Sequence, residues 1–322
     1  MLCSKLTTTC AATLFLTAAS VWELSSAQTF PARTLRMITS EAGSSNDVAS
    51  RMITQEISGP LGQPVIVENR PSSIIGPILS KATPDGYTMA LTSGVLWLGS
   101  LTQKADFDPF KDLQPITTVM TYPSVLVVNP SLPAKSVQEL IALAKAKPGT
   151  LNYAGSFDPG AATFLYPELF KAMAGVDIVK ISYKGAGPGL IGVMSGESHL
   201  MIVSASSAMT AVKSGKVRAL GVTSLQPSPL APGVAPIAQA VPGYEAISWA
   251  GILVPAHTPA AVVSRLNQEI VRVLTRADVR EKFLNTGNEV VPGTPGEFTA
   301  RMKSERAKWA KVLKAAGVTL AQ

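Results

Sequence analysis

The sequence predicts an α/β fold of mostly parallel sheets flanked by helices, divided between two domains. Three observations carry this. Apolar runs of strand length alternate with stretches of helical period. Several of the strands end in loops of Gly and Ser that lead into a helix. The chain has 322 residues, 46% of them apolar, which is long for a single core.

The first unit sets the pattern. Leu35-Arg36-Met37-Ile38-Thr39 reads as a strand and Ser40-Glu41-Ala42-Gly43-Ser44-Ser45-Asn46 as a turn. Residues 47–57 form an amphipathic helix, with Val48, Met52 and Ile53 or Ile57 on one face. Ser45, Asn46 and Asp47 are all good N-cap types. A helix start with free N–H groups, a glycine that lets backbone approach and two serine hydroxyls is suited to a carboxylate or phosphate. Taken alone, the loop reads first as an ordinary capped turn. Its repetition later in the chain raises the functional reading.

The chain continues with a strand at 64–69, an Arg70-Pro71-Ser72-Ser73 turn, and a short apolar segment to Ala82. Pro84-Asp85-Gly86-Tyr87 is a turn, and a strand at 88–92 ends in Ser93-Gly94. This is a βαβαβ start and implies a parallel sheet. Val125-Leu126-Val127-Val128 is a buried strand. Ser136-Val137-Gln138-Glu139 is a capping box opening a helix to Lys147, stopped by Pro148-Gly149. The strand at 151–154 leads through Gly155-Ser156-Phe157-Asp158-Pro159-Gly160-Ala161-Ala162-Thr163 into a helix to Ala174. A strand at 178–183 leads through Lys184-Gly185-Ala186-Gly187-Pro188-Gly189 into another, and a strand at 200–203 ends in Ser204-Ala205-Ser206-Ser207. Ligand crevices of open parallel sheets lie at such carboxyl ends. A strand at 217–222, an irregular Pro-rich crossing at 225–242 and a strand at 247–254 follow. Three helices close the chain, at 259–276, 278–285 and 295–316. Val263, Leu266, Ile270 and Val273, and Phe298, Met302, Trp309 and Leu313, recur at helical spacing as core faces.

Residues 1–27 read as a secretory signal peptide: Lys5, the apolar run at 11–21, and Ser25-Ser26-Ala27 as the cleavage site. The run is too short to span a bilayer. Cys3 and Cys10 both lie in this leader, so thiol catalysis and cysteine metal sites are excluded from the remainder. His199 and His257 are too few for a histidine metal site and read as structural. The net charge of +7 is spread along helices, and aromatics are only 6%. Nucleic-acid binding, which wants a basic cluster with stacking aromatics, is not expected.

Gly187-Pro188-Gly189-Leu190-Ile191-Gly192 matches G-x-G-x-x-G. The following strand ends in Ser204 and Ser206, with no acid to hold a ribose, so no dinucleotide cofactor is expected. Neither a nucleophile elbow nor a P-loop is present. A carboxylate pair for glycoside hydrolysis is conceivable, but caps explain Asp47 and Asp158 better. Donor-rich loops without nucleophile, base or metal describe a binding protein rather than an enzyme.

Val67-Glu68-Asn69-Arg70-Pro71, Pro84-Asp85-Gly86-Tyr87-Thr88, Val127-Val128-Asn129-Pro130, Leu151-Asn152-Tyr153-Ala154, Tyr183-Lys184-Gly185, Gly215-Lys216-Val217-Arg218-Ala219-Leu220 and Val222-Thr223-Ser224 occur in that order. Here the chain resembles the Bug family, the TctC-like solute receptors of tripartite tricarboxylate transporters. The resemblance implies a two-lobed type II periplasmic-binding-protein architecture, each lobe a mostly parallel sheet flanked by helices. Residues 28–127 and 250–322 would form one lobe and residues 128–249 the other. It further implies a periplasmic, monomeric receptor without cofactor or metal. Such a receptor closes on a small carboxylate and delivers it to membrane permease subunits. Reporting ligand to a membrane sensor is the alternative role, and an exported enzyme the more distant one.

Carried over, the ligand loops are Gly43, Ser44, Ser45, Asn46 and Asp47, with Ser93 and Gly94 on the same lobe. The opposite lobe would give Ser156, Phe157, Asp158, Gly160, Ala161, Ala162 and Thr163, then Tyr183, Lys184 and Gly185, with Ser204 standing by. The chain departs from the family pattern in four places. Ala42-Gly43-Ser44 replaces Pro-Gly-Gly, and Ser72-Ser73-Ile74-Ile75 replaces a Gly-rich stretch. The loop after Tyr153-Ala154 carries Phe157 and is one residue longer, and Ser204 stands near a missing Asp. These changes make the expected cleft less polar, with Lys184 its one nearby cation. A dicarboxylate with an apolar or aromatic body is the expected ligand. Changing Ser44 to Ala, or enlarging Gly160, is expected to weaken binding without unfolding.

Overall fold

The computed structural model describes residues 30–102 and 106–321. The leader expected at residues 1–27 lies outside them. β1 (Leu35–Thr39), α1 (Ser45–Leu61), β2 (Val65–Asn69), α2 (Ser72–Ser80) and β3 (Thr88–Ser93) form the expected βαβαβ start, with β1 parallel to both β2 and β3. The apolar segment after Arg70 is the helix α2. In α1 the buried face runs through Ala49, Ser50, Ile53 and Ile57, while Val48 and Met52 are half-buried. The expected face was therefore rotated by one position.

A short helix α3 (Val95–Leu98) leads to β4 (Leu113–Val128), a 16-residue strand. Only its last four residues were expected from sequence. Pro115 and Pro123 disguise the rest, because proline cannot donate to a ladder and is tolerated where pairing is irregular. The register shifts between Pro115 and Thr117, and again between Thr118 and Met120. After β4 come α4 (Val137–Ala146), β5 (Asn152–Ser156), α5 (Ala162–Ala174), β6 (Val179–Tyr183) and α6 (Ala186–Ser195). β7 (Leu200–Ser204), α7 (Ala205–Lys213) and β8 (Arg218–Val222) complete this part. β9 (Ile247–Pro255), α8 (Ala260–Leu274), α9 (Ala277–Asn285), β10 (Glu289–Val290) and α10 (Pro295–Ala315) end the chain.

The sheet order is β2-β1-β3-β9-β4-β7-β5-β6, with β8 and β10 also paired to β4. β4 joins its two parts. Residues from Leu113 to Pro123 pair antiparallel with β9, and Ser124 to Val128 pair with β7 and β8. In each part the chain's first parallel strand lies between the next two, β1 between β2 and β3, and β5 between β6 and β7. That order creates a switch point, where the loops leaving two neighbouring strands diverge and open a crevice.

Three apolar clusters hold the assembly. One packs α1 and α8 on β1 and β3, through Ile53, Ile57, Leu266 and Ile270. A second packs α6 and α7 on β4 and β7, through Val193, Ala208, Val125 and Val203. The third runs through both parts of the sheet and contains Trp97, Trp249, Phe298 and Trp309 together with Leu126, Phe164 and Phe170. α10 spans this cluster. Phe298 near its start lies 5.3 Å from Trp249, and Trp309 further along stacks on Tyr166 of α5 at 5.4 Å. Gly251 of β9 permits the first contact, since a Cβ there would sit 2.3 Å from the Phe298 ring.

Candidate functional site

The loop between β1 and α1 is closed on itself. Ser44 is the N-cap of α1, and its hydroxyl accepts from the Asp47 amide and pairs with Ser40 at 2.8 Å. The Asp47 carboxylate is buried, accepting from the Gly43 amide at 2.9 Å and from Asn69 Nδ2 at 2.8 Å. Arg51 Nε lies 3.0 Å from it. Burial raises the Asp47 pKa, but the hydrogen bonds from Asn69, Gly43 and Arg51 outweigh it and hold the carboxyl below its usual value. Asn69 also donates to the Ser40 carbonyl at 2.7 Å, tying β2 to the loop. Glu41 reaches sideways to the Ser72 amide and hydroxyl at the start of α2, and hydrogen bonds from its own backbone amide first, then from Ser72, lower its pKa. Ser44 and Asp47, both expected at a ligand, are thus engaged within the loop. Gly43 and Ser45 are exposed and Asn46 is half-buried.

The loop between β5 and α5 is shaped differently. Asp158 accepts from the Gly160 amide at 2.8 Å, and its own amide donates to Ser156 Oγ at 3.0 Å. The N-cap of α5 is Ala161, which has no side-chain acceptor to offer. The first amides of α5 therefore lack a cap, and helix geometry gives them no partner within the helix.

Two cavities are lined by this helix start. A chamber of about 140 Å³ is lined by Ser93 at the end of β3, Gly94, Tyr122 of β4, Gly160 to Ala162, Tyr166, Ser248 and Trp249 of β9, and Glu305 and Trp309 of α10. A cleft of about 560 Å³ lies between α2, α3, Gly99, Ser100, Thr102, Asp106 and Phe107 on one side, and Asp158, Gly160 and Ala161 on the other. Val95, Gly160 and Ala161 line both cavities. Among the described residues, the charged ones lining the cleft, Asp106 and Asp158, are acids, and the donors they leave to an anion are backbone N–H groups and hydroxyls.

Tyr166 and Ser248 meet at 2.7 Å, and Tyr122 stands beside Ser93. Burial pushes both tyrosine pKa values up, so both remain neutral hydroxyls. Glu305 is 6% exposed, with Lys308 Nζ 3.6 Å away.

Of the sequence-expected residues, the structure brings Ser93, Gly94, Asp158, Gly160, Ala161 and Ala162 together around these cavities. Thr163 is half-buried in the first turn of α5. Ser156 acts within its loop, and Phe157 stands 65% exposed at the tip. The Tyr183 hydroxyl bonds Ser198 at 3.0 Å, ahead of β7 and so at the opposite end of the parallel strands from the loops. Lys184 is exposed and lines neither cavity. Gly185, at φ 147°, is the N-cap of α6, and Ser204 bonds Ser207 at 3.0 Å. Sequence reasoning missed Tyr122, which lies in the disguised part of β4, and Ser248, Trp249 and Glu305. Glu305 left one signal: it occupies the apolar stripe of α10 between Met302 and Trp309, where a hydrophobic residue is the ordinary occupant.

A family model, described as tripartite tricarboxylate transporter family receptor (TctC), matches residues 49–318. The chain belongs to this family. It is 32% identical over 315 residues to protein BugT of Bordetella pertussis, covering 95% of this chain and 96% of that one. It is 33% identical over 291 residues to a protein in the tcbD-tcbE intergenic region of Pseudomonas sp. strain P51, covering 88% and 86%. Among solved structures, R. palustris Rpa4515 with adipate matches at 31% identity and TM-score 0.74, over 90% of this chain and 99% of that one. MatC from Rhodopseudomonas palustris with bound malate matches at 26% and 0.69, over 88% and 100%. The periplasmic binding protein BugD matches at 27% and 0.70, over 90% and 99%. BugD is described as a periplasmic binding protein, and the mixed α/β architecture of this chain is shared with these solved structures.

Proposed function

We propose that this chain is a periplasmic receptor that captures a small carboxylate between two lobes and delivers it to a tripartite tricarboxylate-type membrane permease. Residues 28–127 with 250–322 would be one lobe and 128–249 the other, with the turning point close to the change of pairing within β4 at Pro123 and Ser124. The observation that carries the reading is the uncapped start of α5, which opens onto a cleft whose other wall comes from α2 and α3. A carboxylate there would receive hydrogen bonds from backbone amides and the favourable end of the helix dipole, without a formal positive charge. Adipate and malate in two structural neighbours support the ligand class. Trp249, Trp309 and Leu165 around the chamber support an apolar or aromatic body. Because the two walls belong to different lobes, the ligand contacts both only when they approach, and binding free energy shifts an open–closed equilibrium.

The test is a thermal-shift screen of purified, ligand-free chain against aliphatic and aromatic mono-, di- and tricarboxylates. A ligand at a hundredfold excess over its Kd adds about 2.7 kcal/mol, a rise of a few degrees in Tm. No shift with any acid overturns the reading.

A further inference from the structure

A third cavity, of about 410 Å³, lies between β4, residues 291–293 and α10. It shares Trp249 with the chamber and no residue with the cleft. Its size is that of small-ligand sites, about 300–1,000 Å³. One wall is fixed in place: the Gly293 amide donates to Thr117 Oγ1 at 3.1 Å, and the Gly293 carbonyl accepts from Asn267 Nδ2 at 3.0 Å. A Cβ at Gly293 would stand 2.9 Å from Thr118 Oγ1, so glycine is what lets this wall approach β4 so closely. Arg301 of α10 is half-buried at the cavity, with its guanidinium 5.1 Å from the centre of the Trp249 ring. An acid four residues before an arginine on a helix is its ordinary partner. Here that acid is Glu297, and it is turned back to the helix start, accepting from the Thr294 amide at 2.7 Å and the Thr294 hydroxyl at 2.9 Å. Among the described residues no ion pair or hydrogen bond takes up the Arg301 guanidinium, and no hydrogen bond takes up the Thr118 or Thr121 hydroxyl, which line the same cavity.

We propose that this cavity is a second binding site, separate from the cleft, for a small organic anion: a carboxylate or sulfonate with an apolar body. A guanidinium over an aromatic ring keeps its edge N–H groups free, and these match a carboxylate as a fork. The two threonine hydroxyls add further donors. Met120, Val291 and Pro292 offer apolar surface to the body, and Val291 is exposed, so this surface is reachable from solvent. Glu297 also lines the cavity, but its Oε2 is committed to the helix cap. Arg301 is the lining residue that still offers charge-assisted donors. Donors drawn partly out of water without a partner are costly, and an anion that meets them relieves that cost.

The experiment reads this site with the cleft occupied by the protein's own carboxylate, in the purified, ligand-free Ala161→Asp chain, where the new aspartate sits on the α5 amides. Hexanoate, benzoate, benzenesulfonate and inorganic sulfate are titrated by calorimetry and by ligand-observed NMR. At least one organic anion is expected to bind, and about tenfold or more tighter than sulfate. Adding Arg301→Met, which keeps an apolar stem over Trp249 and removes the donors, is expected to weaken it about tenfold or more. Ala300→Glu, at an exposed helix position of the same cavity, brings in a carboxylate and is expected to do the same, and it carries the test should Arg301→Met fold poorly. No organic anion binding to the Ala161→Asp chain, sulfate binding as tightly as the organic anions, or affinities within about threefold in the folded variants overturns the inference. The receptor reading of the cleft is tested on the unaltered chain and stands or falls separately.

Discussion

The loops after β1 and after β5 have the same outline: a strand, a run of small residues, and a helix. In the first, Ser44 caps α1, Asp47 gathers the Gly43 amide and Asn69, and Glu41 covers the start of α2. In the second, Asp158 shapes the turn but Ala161 leaves α5 uncapped beside two cavities. The first loop supplies its own anions to its own helix starts; the second leaves that role open. A helix start is a binding site only where the fold has not already filled it.

The sharpest way to break this contrast is to cap α5. Ala161 has the extended conformation of an N-cap, φ −75° and ψ 144°. Ala161→Asp would place a carboxylate on the free amides, and it is expected to lower carboxylate affinity about a hundredfold while raising stability by about 1 kcal/mol. Titration calorimetry and urea denaturation read the two effects; unaltered affinity would mean the ligand lies elsewhere. Next, Asp47→Ala removes the anion of the first loop and leaves the Gly43 amide without its partner, so a stability loss of about 2 kcal/mol is expected in urea denaturation. A loss under about 0.5 kcal/mol, the range of ordinary surface substitutions, would make the first loop no more self-contained than the second.

The pH dependence sharpens the same point. Burial acts to raise the Asp47 pKa, but hydrogen bonds from Asn69, Gly43 and Arg51 leave it below the unfolded value of 3.8. Its stabilisation is then complete above that value and is lost as pH falls through the lower, folded value. Asp47→Asn is expected to flatten this acid limb of the stability profile, and an unchanged limb would assign it to other carboxyls such as Glu41. The smallest effect is that of Ser44→Ala, about 1 kcal/mol of stability from the lost cap. Its ligand affinity is expected to stay within about twofold, because the hydroxyl is already engaged. This reverses the expectation from sequence that Ser44 contacts ligand, and a large affinity loss at unchanged stability would restore it.

Much of the fold was legible in the chain. β1, α4 and the helices from α8 onward fall close to their expected bounds, because strand alternation and helical spacing are local signals and Ser136 announces α4 as its N-cap. The first three quarters of β4 were not legible, since Pro115 and Pro123 argue locally against a strand that irregular pairing with β9 sustains. The site was legible in part. Small residues mark Ser93, Gly94 and the stretch from Gly160 to Ala162 as loop positions at strand ends. Nothing local joins them to Tyr122, Ser248 or Glu305, which lie on β4, β9 and α10.

The sequence by itself determined the alternation of strands and helices, the apolar faces and the family, because each is written in short-range patterns or in ordered motifs. Only the tertiary structure decided which uncapped helix start lines a cavity. Asn69 of β2 returns to lock the loop after β1, while no side chain among the described residues caps α5. Whether a donor is available depends on acceptors brought from elsewhere in the chain.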